Sequence, residues 1–275
     1  MKKRLAALIL AVATATMTLT GCGSNSKDTS SENLFKVGME AAYAPFNWTQ
    51  LDDSNGAVKL EGASEYAGGY DVEIAKKLAD GLGKELVIVK TEWDGLVPAL
   101  VSGKIDAIIG GMSPTEKRKE TIDFSDSYYK SELVMLVKSG SKYENAETLK
   151  DFSGAKVTGQ LNTFHYSVID QIPGVNKQPA MSDFGAMRVA LETGVIDAYV
   201  TERPEAISAQ AANSNFKMVE LKEGFETSEE DTDTAVGLVK DSELKDKINE
   251  ILSGISDEER IEMMDTAVKN QPAAQ

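Results

Sequence analysis

The sequence predicts an α/β protein built of two similar lobes that are joined by two strands. From residue 34 onward, segments with strand patterns alternate with segments of helical periodicity, which is typical of parallel strands joined by right-handed crossovers. A pattern of helix, glycine and strand occurs at residues 99–107 and again at 190–198. This is either two copies of one unit or the ordinary turn between a helix and a strand. A β-rich segment at residues 128–138 is long enough to cross between lobes.

Each element is predicted from a local pattern. The helix at residues 71–82 ends at Gly83, and its apolar stripe consists of Val72, Ile74, Ala75, Leu78 and Leu82. Asp94 is the predicted N-cap of a short helix at 94–102. The other predicted helices are residues 163–172, 183–193, 204–212, 242–253 and 256–269. The predicted strands are residues 34–40, 84–91, 105–109, 155–159, 196–200, 216–221 and 235–240.

The crossing segments divide the chain into lobes. We expect residues 34–129 and 236–270 to form lobe I. Residues 130–235 are expected to form lobe II, including the hinge strands, and residues 271–275 a frayed tail. Because ligands of such sheets bind beyond the carboxyl ends of the strands, the binding site is expected in the cleft between the lobes.

Composition and charge exclude several classes of function. The chain has 275 residues, 41% hydrophobic and 27% charged, with a net charge of -15. These proportions describe a globular protein, and the negative charge argues against nucleic acid, whose binding relies on Lys and Arg. With one Cys and one His, an internal disulfide is excluded, and the usual zinc ligand sets and Cys–His nucleophile pairs nearly so. We expect no metal, no cofactor and no catalytic residue.

The start of the chain predicts export and lipid anchoring. A basic segment at residues 2–4 precedes an apolar stretch at 5–19, which is too short for a comfortable membrane span. The Leu-Thr-Gly-Cys sequence ending at Cys22 resembles the bacterial lipobox. Residues 1–21 are then a lipoprotein signal peptide, and Cys22 carries the lipid that holds an extracytoplasmic protein on the cell membrane. Residues 22–33 are rich in Gly, Ser and Asn, and are expected to be a flexible tether.

Five motifs resemble, in order and spacing, the substrate-binding proteins of polar amino-acid ABC importers, solute-binding protein family 3. They are residues 37–48 (VGMEAAYAPFNW), 69–72 (GYDV), 93–100 (WDGLVPAL), 111–118 (GMSPTEKR) and 123–129 (DFSDSYY). The resemblance covers residues 34 to about 255. It implies the two-lobed periplasmic-binding-protein type II fold, which closes on a free amino acid and presents it to a permease and an ATPase.

The resemblance implies a clamp for the ligand's α-carboxylate. A free amino acid loses water from both its charges in a closed cleft, so each needs a partner. Arg118 lies where the family's binding arginine falls, and its guanidinium suits a bidentate pair. Ser113 would complete the carboxylate contacts from lobe I, and Thr163 would add contacts from lobe II. Asn162 replaces the usual Gly of the Gln-x-Gly-Thr motif; Asn also tolerates a positive φ.

The same resemblance implies partners for the rest of the ligand. Glu202, aligned with a family aspartate, would bind the α-ammonium, and the Gly111 carbonyl could assist. Tyr43 and Trp93 match an aromatic pair that sandwiches the side chain, and Glu40 matches an acidic residue at its far end. A carboxylate there favours arginine, lysine, histidine or glutamine. The residues expected to contact the ligand are Glu40, Tyr43, Trp93, Gly111, Met112, Ser113, Arg118, Asn162, Thr163, Phe164 and Glu202.

Some interpretations remain open at the level of sequence. A lipoprotein that senses amino acids without transport, or an enzyme resembling cyclohexadienyl dehydratase, would share the fold. Trp48 suits either the core or the site, and His165 either the ligand or the surface. Residues 52–56 predict a surface hairpin, and the acidic residues 226–233 a solvated loop. We expect a monomer.

Overall fold

The structure is a computed structural model that describes residues 33–272. The predicted signal peptide, the lipidated Cys22, most of the tether and residues 273–275 of the predicted tail lie outside the described residues. Within the described part, the chain has the predicted α/β organisation. No helix in this range is long and apolar enough to cross a membrane.

The strands agree with the predicted positions to within a few residues, and the structure adds short strands that the sequence did not indicate. The strands are β1 Leu34–Met39, β2 Ala42–Tyr43, β3 Asn47–Gln50, β4 Val58–Lys59, β5 Tyr66–Gly68, β6 Glu85–Lys90, β7 Ala107–Ile108, β8 Asp123–Lys130, β9 Leu133–Lys138, β10 Lys156–Thr158, β11 Asn176–Lys177, β12 Ala198–Glu202, β13 Phe216–Val219 and β14 Asp233–Leu238.

The helices follow the same pattern. They are α1 Tyr70–Leu82, α2 Leu96–Val101, α3 Glu116–Lys119, α4 Phe164–Val168, α5 Phe184–Thr193, α6 Arg203–Ala212, α7 Glu229–Thr232, α8 Leu244–Ser253 and α9 Asp257–Asn270. Gly83 ends α1 in the left-handed conformation, as predicted. The predicted stripe of α1 is buried except for Leu82, which is half-buried.

Two five-stranded sheets have the same plan. The first sheet has the order β6-β1-β7-β14-β8 and the second β11-β10-β12-β9-β13. In each, the first three strands are parallel, and the fourth runs antiparallel to its neighbours on both sides. The molecule therefore consists of two α/β units of similar construction, which is the predicted fold class.

The repeat seen in the sequence occupies equivalent places in the two units. Gly103 and Gly194 follow α2 and α5 with φ of 74° and 77°, and each is followed by the third strand of its sheet. Asp106 accepts a hydrogen bond from the Lys36 amide at 2.8 Å. Asp197 accepts the same bond from the Lys156 amide at 2.9 Å. The repeated Asp thus fastens the turn to the neighbouring strand in both units.

The chain passes between the sheets at two adjacent places. The β-rich segment at 128–138 divides into the end of β8 in the first sheet and β9 in the second. The return passes from β13 to β14, and the Ser131 amide donates to the Thr232 carbonyl at 3.0 Å. Two adjacent crossings of this kind can act as a hinge.

Three local predictions are wrong. Asp94 does not cap α2, because it lies in a 3₁₀ turn, Trp93–Gly95, and the helix starts after Gly95 without a side-chain cap. The segment 52–56 is exposed and contains a 3₁₀ turn, Ser54–Gly56, but it is not a hairpin, because the flanking strands β3 and β4 each pair with β5 and not with each other. The acidic segment is not a plain loop, because Ser228 and Asp231 form a capping box that begins α7.

Candidate functional site

The candidate residues meet where the parallel strands of both sheets end. Glu40 directly follows β1, and Trp93 lies just beyond β6. Thr163 comes shortly after β10, and Glu202 is the last residue of β12. The two sheets thus direct the carboxyl ends of their parallel strands at one cleft, as the predicted topology requires.

Arg118 is the cation of this cleft. It lies in the short helix α3, and its guanidinium donates to the carbonyl of Ser113 at 2.8 Å and to the carbonyl of Asn162 at 3.2 Å. The guanidinium carbon lies 5.1 Å from the centroid of the Trp93 ring, within the range of a cation–π contact. Burial lowers the pKa of Arg118 to about 10, although Glu202 and Asp231 oppose that shift. Arg118 therefore stays charged at neutral pH.

Glu202 is the buried anion on the opposite unit. Its side chain accepts a hydrogen bond from the Tyr43 hydroxyl, and its Oε1 lies 2.9 Å from Nε2 of His165. Burial acts to raise the pKa of Glu202, but the charge of His165 and the bond from Tyr43 outweigh it and lower the pKa. His165 Nε2 makes no hydrogen bond within residues 33–272. The two buried side chains nevertheless meet at the distance of an ion pair.

Glu40 is a second buried carboxylate. It is 5% exposed, and the Gln160 side-chain amide donates to it at 3.3 Å. Burial raises the pKa of Glu40 to about 7, partly opposed by the Gln160 bond. Its charge therefore changes near neutral pH.

The expected aromatic sandwich is not formed in this arrangement. Tyr43 stacks on Phe46 at 4.8 Å and on Phe184 at 4.5 Å, so both of its faces are covered. Trp93 is half-buried and lies beside Arg118. What Tyr43 presents to the cleft is its hydroxyl group, because Phe184 approaches from the second unit.

The remaining predicted residues lie around the same cleft. Gly111 has a φ of 67°, and an added Cβ would lie 2.6 Å from the Tyr43 ring, so only glycine fits. Met112 is buried in the apolar cluster of the first unit. The Ser113 hydroxyl donates to the Asp231 carbonyl at 3.0 Å. Phe164 is half-buried at the start of α4.

Asn162 joins the two units. It has a φ of 57°, the left-handed conformation that the replaced glycine would allow. Its side-chain amide donates to the Asp94 carboxylate at 2.8 Å, while its carbonyl accepts from Arg118. Asp94 thus bonds across the cleft instead of capping α2.

Two site residues and one supporting network were not assigned from the sequence. Gln160 is the first residue of the motif that contains Asn162 and Thr163, yet nothing in its local sequence indicates a contact with Glu40. His165 was left open, and it is 4% exposed, so the surface interpretation is wrong. Trp48 is also buried, and its indole N–H donates to Gln50 at 2.8 Å.

A network of buried hydrogen bonds connects Gly111 to the core of the first unit. The Gly111 amide donates to the Tyr128 hydroxyl at 3.2 Å, and this hydroxyl donates to Asp71 at 2.7 Å. Asn47 donates to the other oxygen of Asp71 at 2.7 Å. Burial raises the pKa of Asp71 to about 6, while these two hydrogen bonds lower it. The conformation of Gly111 therefore depends on a carboxylate in the core.

Little free space remains among the central side chains. A cavity of about 10 Å³ is lined by residues of both units, among them Arg118, Gln160 and His165. A larger cavity of about 870 Å³ lies alongside and shares Trp93, Arg118 and Phe164. An occupant of the central site would have to replace contacts such as Tyr43–Glu202 and Arg118–Asn162.

Comparisons with known proteins agree with the fold. Residues 35–266 match the bacterial extracellular solute-binding proteins, family 3, and the chain belongs to this family. The arginine-binding extracellular protein ArtP of Bacillus subtilis is 31% identical over 270 residues, which cover 96% of each chain.

Solved structures show the same fold. An amino acid ABC transporter substrate-binding protein from Streptococcus pneumoniae bound to L-arginine is similar with a TM-score of 0.76 and 27% identity, covering 87% of this chain and 95% of that one. An ancestral arginine-binding protein bound to glutamine is similar with a TM-score of 0.69 and 30% identity, covering 84% and 95%.

Tyr128→Phe is expected to lower the free energy of unfolding by about 1–3 kcal/mol, because it removes the hydrogen bonds to Asp71 and Gly111. Burial raises the pKa of Asp71 to about 6, so its ionisation opposes folding; this cost is complete above about pH 6 and declines as the pH falls from 6 toward the unfolded pKa of about 4. The Tyr128 hydrogen bond stabilises the charged form of Asp71, so its loss matters most where Asp71 is ionised. The destabilisation should therefore be larger at pH 8 than at pH 5.

Urea unfolding at both pH values measures this difference. Tyr129→Phe is the matched control, because the Tyr129 hydroxyl makes no hydrogen bond within residues 33–272. Equal losses of unfolding free energy at both pH values would show that the pKa of Asp71 does not depend on Tyr128.

Proposed function

We propose that the protein binds a free polar L-amino acid between its two units and delivers it to an ABC importer. The observation that carries this proposal is the pair of opposite charges, half-buried Arg118 and buried Glu202, which the two units hold in one cleft. A zwitterion is the ligand that supplies a partner to each of these charges at once.

The α-carboxylate of the ligand would bind Arg118. The contact between Arg118 and the Asn162 carbonyl is single and 3.2 Å long, so a carboxylate that accepts two N–H bonds would replace it favourably. Ser113 and Thr163 lie in the lining of the same cavity. Their N–H or hydroxyl groups would complete the carboxylate contacts from both units.

The α-ammonium would bind Glu202. The Tyr43 hydroxyl now occupies one oxygen of that carboxylate, and an ammonium group would form a stronger, charged bond in its place. Because Tyr43 belongs to the first unit and Glu202 to the second, this exchange takes place where the units meet. Gly111 lies in the same lining, where its carbonyl could accept another ammonium proton.

Glu40 would select the ligand side chain. A carboxylate beside Gln160 suits a guanidinium, ammonium, imidazolium or carboxamide, and disfavours a second carboxylate. Arginine, lysine, histidine and glutamine are therefore the proposed ligands. The names of ArtP and the arginine-bound and glutamine-bound structures support this set.

Closure would couple binding to delivery. Because Arg118 and Glu202 belong to different units, a ligand that binds both favours the closed form through contacts that exist only there. A permease and an ATPase are the proposed partners, and the chain is proposed to catalyse no reaction, as its relatives are named for binding. A lipid on Cys22 would keep the protein on the outer face of the cell membrane.

Thermal shift against the twenty amino acids and prephenate tests the proposal, with calorimetry on each ligand that stabilises the protein. We expect stabilisation by arginine, lysine, histidine or glutamine. Arg118→Lys should lower the affinity for the best ligand by about 100-fold or more, because lysine cannot form the bidentate pair.

Lys117→Ala is the control for this variant, since Lys117 is an exposed neighbour on α3. Stabilisation by prephenate alone, or near-normal affinity in Arg118→Lys, would contradict the proposal. Loss of amino-acid uptake on deletion of the protein would separate transport from sensing.

Glu40→Gln should lower the affinity for L-arginine by about tenfold or more and change the affinity for L-glutamine by less than about threefold, because only arginine loses a charge partner. The pKa of Glu40 is raised to about 7, so its charge is lost as the pH falls below 7. The difference between wild type and variant should therefore grow from pH 6 to pH 8. Calorimetry at both pH values measures it, and an equal loss for both ligands would remove Glu40 from the side-chain site.

Cys22→Ala should move the protein from the membrane fraction to the soluble fraction, because the acyl chains would have no attachment point. Cell fractionation with immunoblotting measures the distribution, and Ser24→Ala is the matched control. Continued membrane association of Cys22→Ala would show that another segment anchors the protein.

A further inference from the structure

His165 is a buried titratable group beside the proposed ammonium site, and the proposed function gives it no role. It is the second residue of α4 and is 4% exposed. Its Nε2 lies 2.9 Å from Oε1 of Glu202, and its ring packs against Phe164 at 4.3 Å and Phe184 at 6.2 Å. His165 and Glu202 belong to the same unit, so their contact does not require closure.

The hydrogen bonds around His165 determine which nitrogen carries a proton. The Thr163 hydroxyl donates to the Gln160 carbonyl at 2.8 Å. A hydroxyl has one proton, so Oγ1 of Thr163 can only accept from His165 Nδ1, which lies 3.2 Å away. Nδ1 therefore carries a proton, and the charge of His165 depends on Nε2 alone.

The surroundings of Nε2 favour a cation while no ligand is bound. A lone pair at 2.9 Å from an anionic oxygen would be repelled, whereas an N–H there neutralises the buried carboxylate. The first unit adds the Tyr43 hydroxyl on Glu202 and the Arg118 guanidinium across the cavity.

Arg118 acts on Glu202 from across the cavity, and the remaining charges near this pair are engaged elsewhere. Glu40 lies beyond Gln160, to which it is hydrogen-bonded. Glu205 of α6 is paired with Arg188 of α5 at 2.7 Å. Toward His165, α5 contributes the uncharged ring of Phe184.

A ligand ammonium would change this balance. An imidazolium and an ammonium at one buried carboxylate would repel each other, which is costly in a dry site, while the ligand carboxylate engages Arg118 instead. Neutral His165, with its proton on Nδ1, instead offers a lone pair at Nε2. That atom makes no hydrogen bond within the described residues, so it is free to accept a hydrogen bond from the ammonium.

We propose that His165 is the counter-ion of Glu202 in the ligand-free protein and that amino-acid binding displaces its charge. The ligand ammonium keeps its three protons and binds Glu202, while the Nε2 proton of His165 passes to solvent. His165 then becomes a second acceptor for the ammonium. This inference rests on the proposed function for the site, but the charge of His165 without ligand is independent of it.

The coupling has a definite sign. The free protein holds one proton more than the complex, so raising the pH favours the complex. Affinity should increase by up to about tenfold per pH unit while His165 is charged in the free protein and neutral in the complex. Glu40 can release its own proton when a cationic side chain binds beside it, so L-glutamine is the main probe and L-arginine the second.

The chain has one histidine, so a sample with ¹⁵N-labelled histidine and no histidine tag gives one imidazole signal pair. NMR of the ligand-free protein at pH 7 should show both nitrogens protonated, and Glu202→Gln should leave only Nδ1 protonated. Saturating L-glutamine should remove the Nε2 proton. A ring that is already neutral without ligand, or one that stays doubly protonated in a saturated complex, would overturn the proposal.

Calorimetry in phosphate and in Tris, whose ionisation enthalpies differ, counts the protons released. Wild type and Glu40→Gln should each release about one proton per L-glutamine, and His165→Gln about none. Release that persists in His165→Gln would assign the proton to another group and overturn the proposal. If neither L-glutamine nor L-arginine binds, the proposed ligands are wrong, and the ligand-free NMR comparison with Glu202→Gln still decides whether His165 is the counter-ion.

Discussion

Arg118 and Glu202 are opposite charges in one cleft, the first half-buried and the second buried, and the arrangement of the two units depends on giving each of them partners. Without partners, each would cost several kcal/mol. Arg118 uses carbonyl groups of Ser113 and Asn162, and Glu202 uses Tyr43 and His165. Some of these partners come from the opposite unit. A ligand that binds these two charges more strongly than their present partners therefore also changes the contacts that hold the units together.

The two sheets bring these charges to one cleft because both units have the same arrangement of strands. Each unit has three parallel strands followed by an antiparallel strand, and Asp106 and Asp197 fasten the same turn in each. Parallel strands end on one edge, so each unit brings its polar residues to that edge. The adjacent crossings at Ser131 and Thr232 then allow the two edges to face each other and to move apart.

Much of the site could be anticipated from motifs, whereas its hydrogen-bonding pattern could not. The cleft does contain Arg118, Thr163 and Glu202, which the resemblance pointed out. Asp94 followed a good capping pattern but bonds to Asn162 across the cleft, because a partner from a distant segment outcompeted the local amide. Tyr43 presents a hydroxyl rather than a ring face, since Phe184, 141 positions away along the chain, covers that face.

Local patterns in the chain predict the main strands and helices, the repeat and the identity of the charged residues, because periodicity, capping and turn preferences act over a few neighbouring residues. Only the tertiary structure decided that His165 lies against Glu202, that Gln160 reaches Glu40, and that Asp71 supports Gly111 through Tyr128. The physical reason is that charge, burial and hydrogen bonding depend on distance in space. Residues far apart in the chain acquire these relations only when the two units fold and meet.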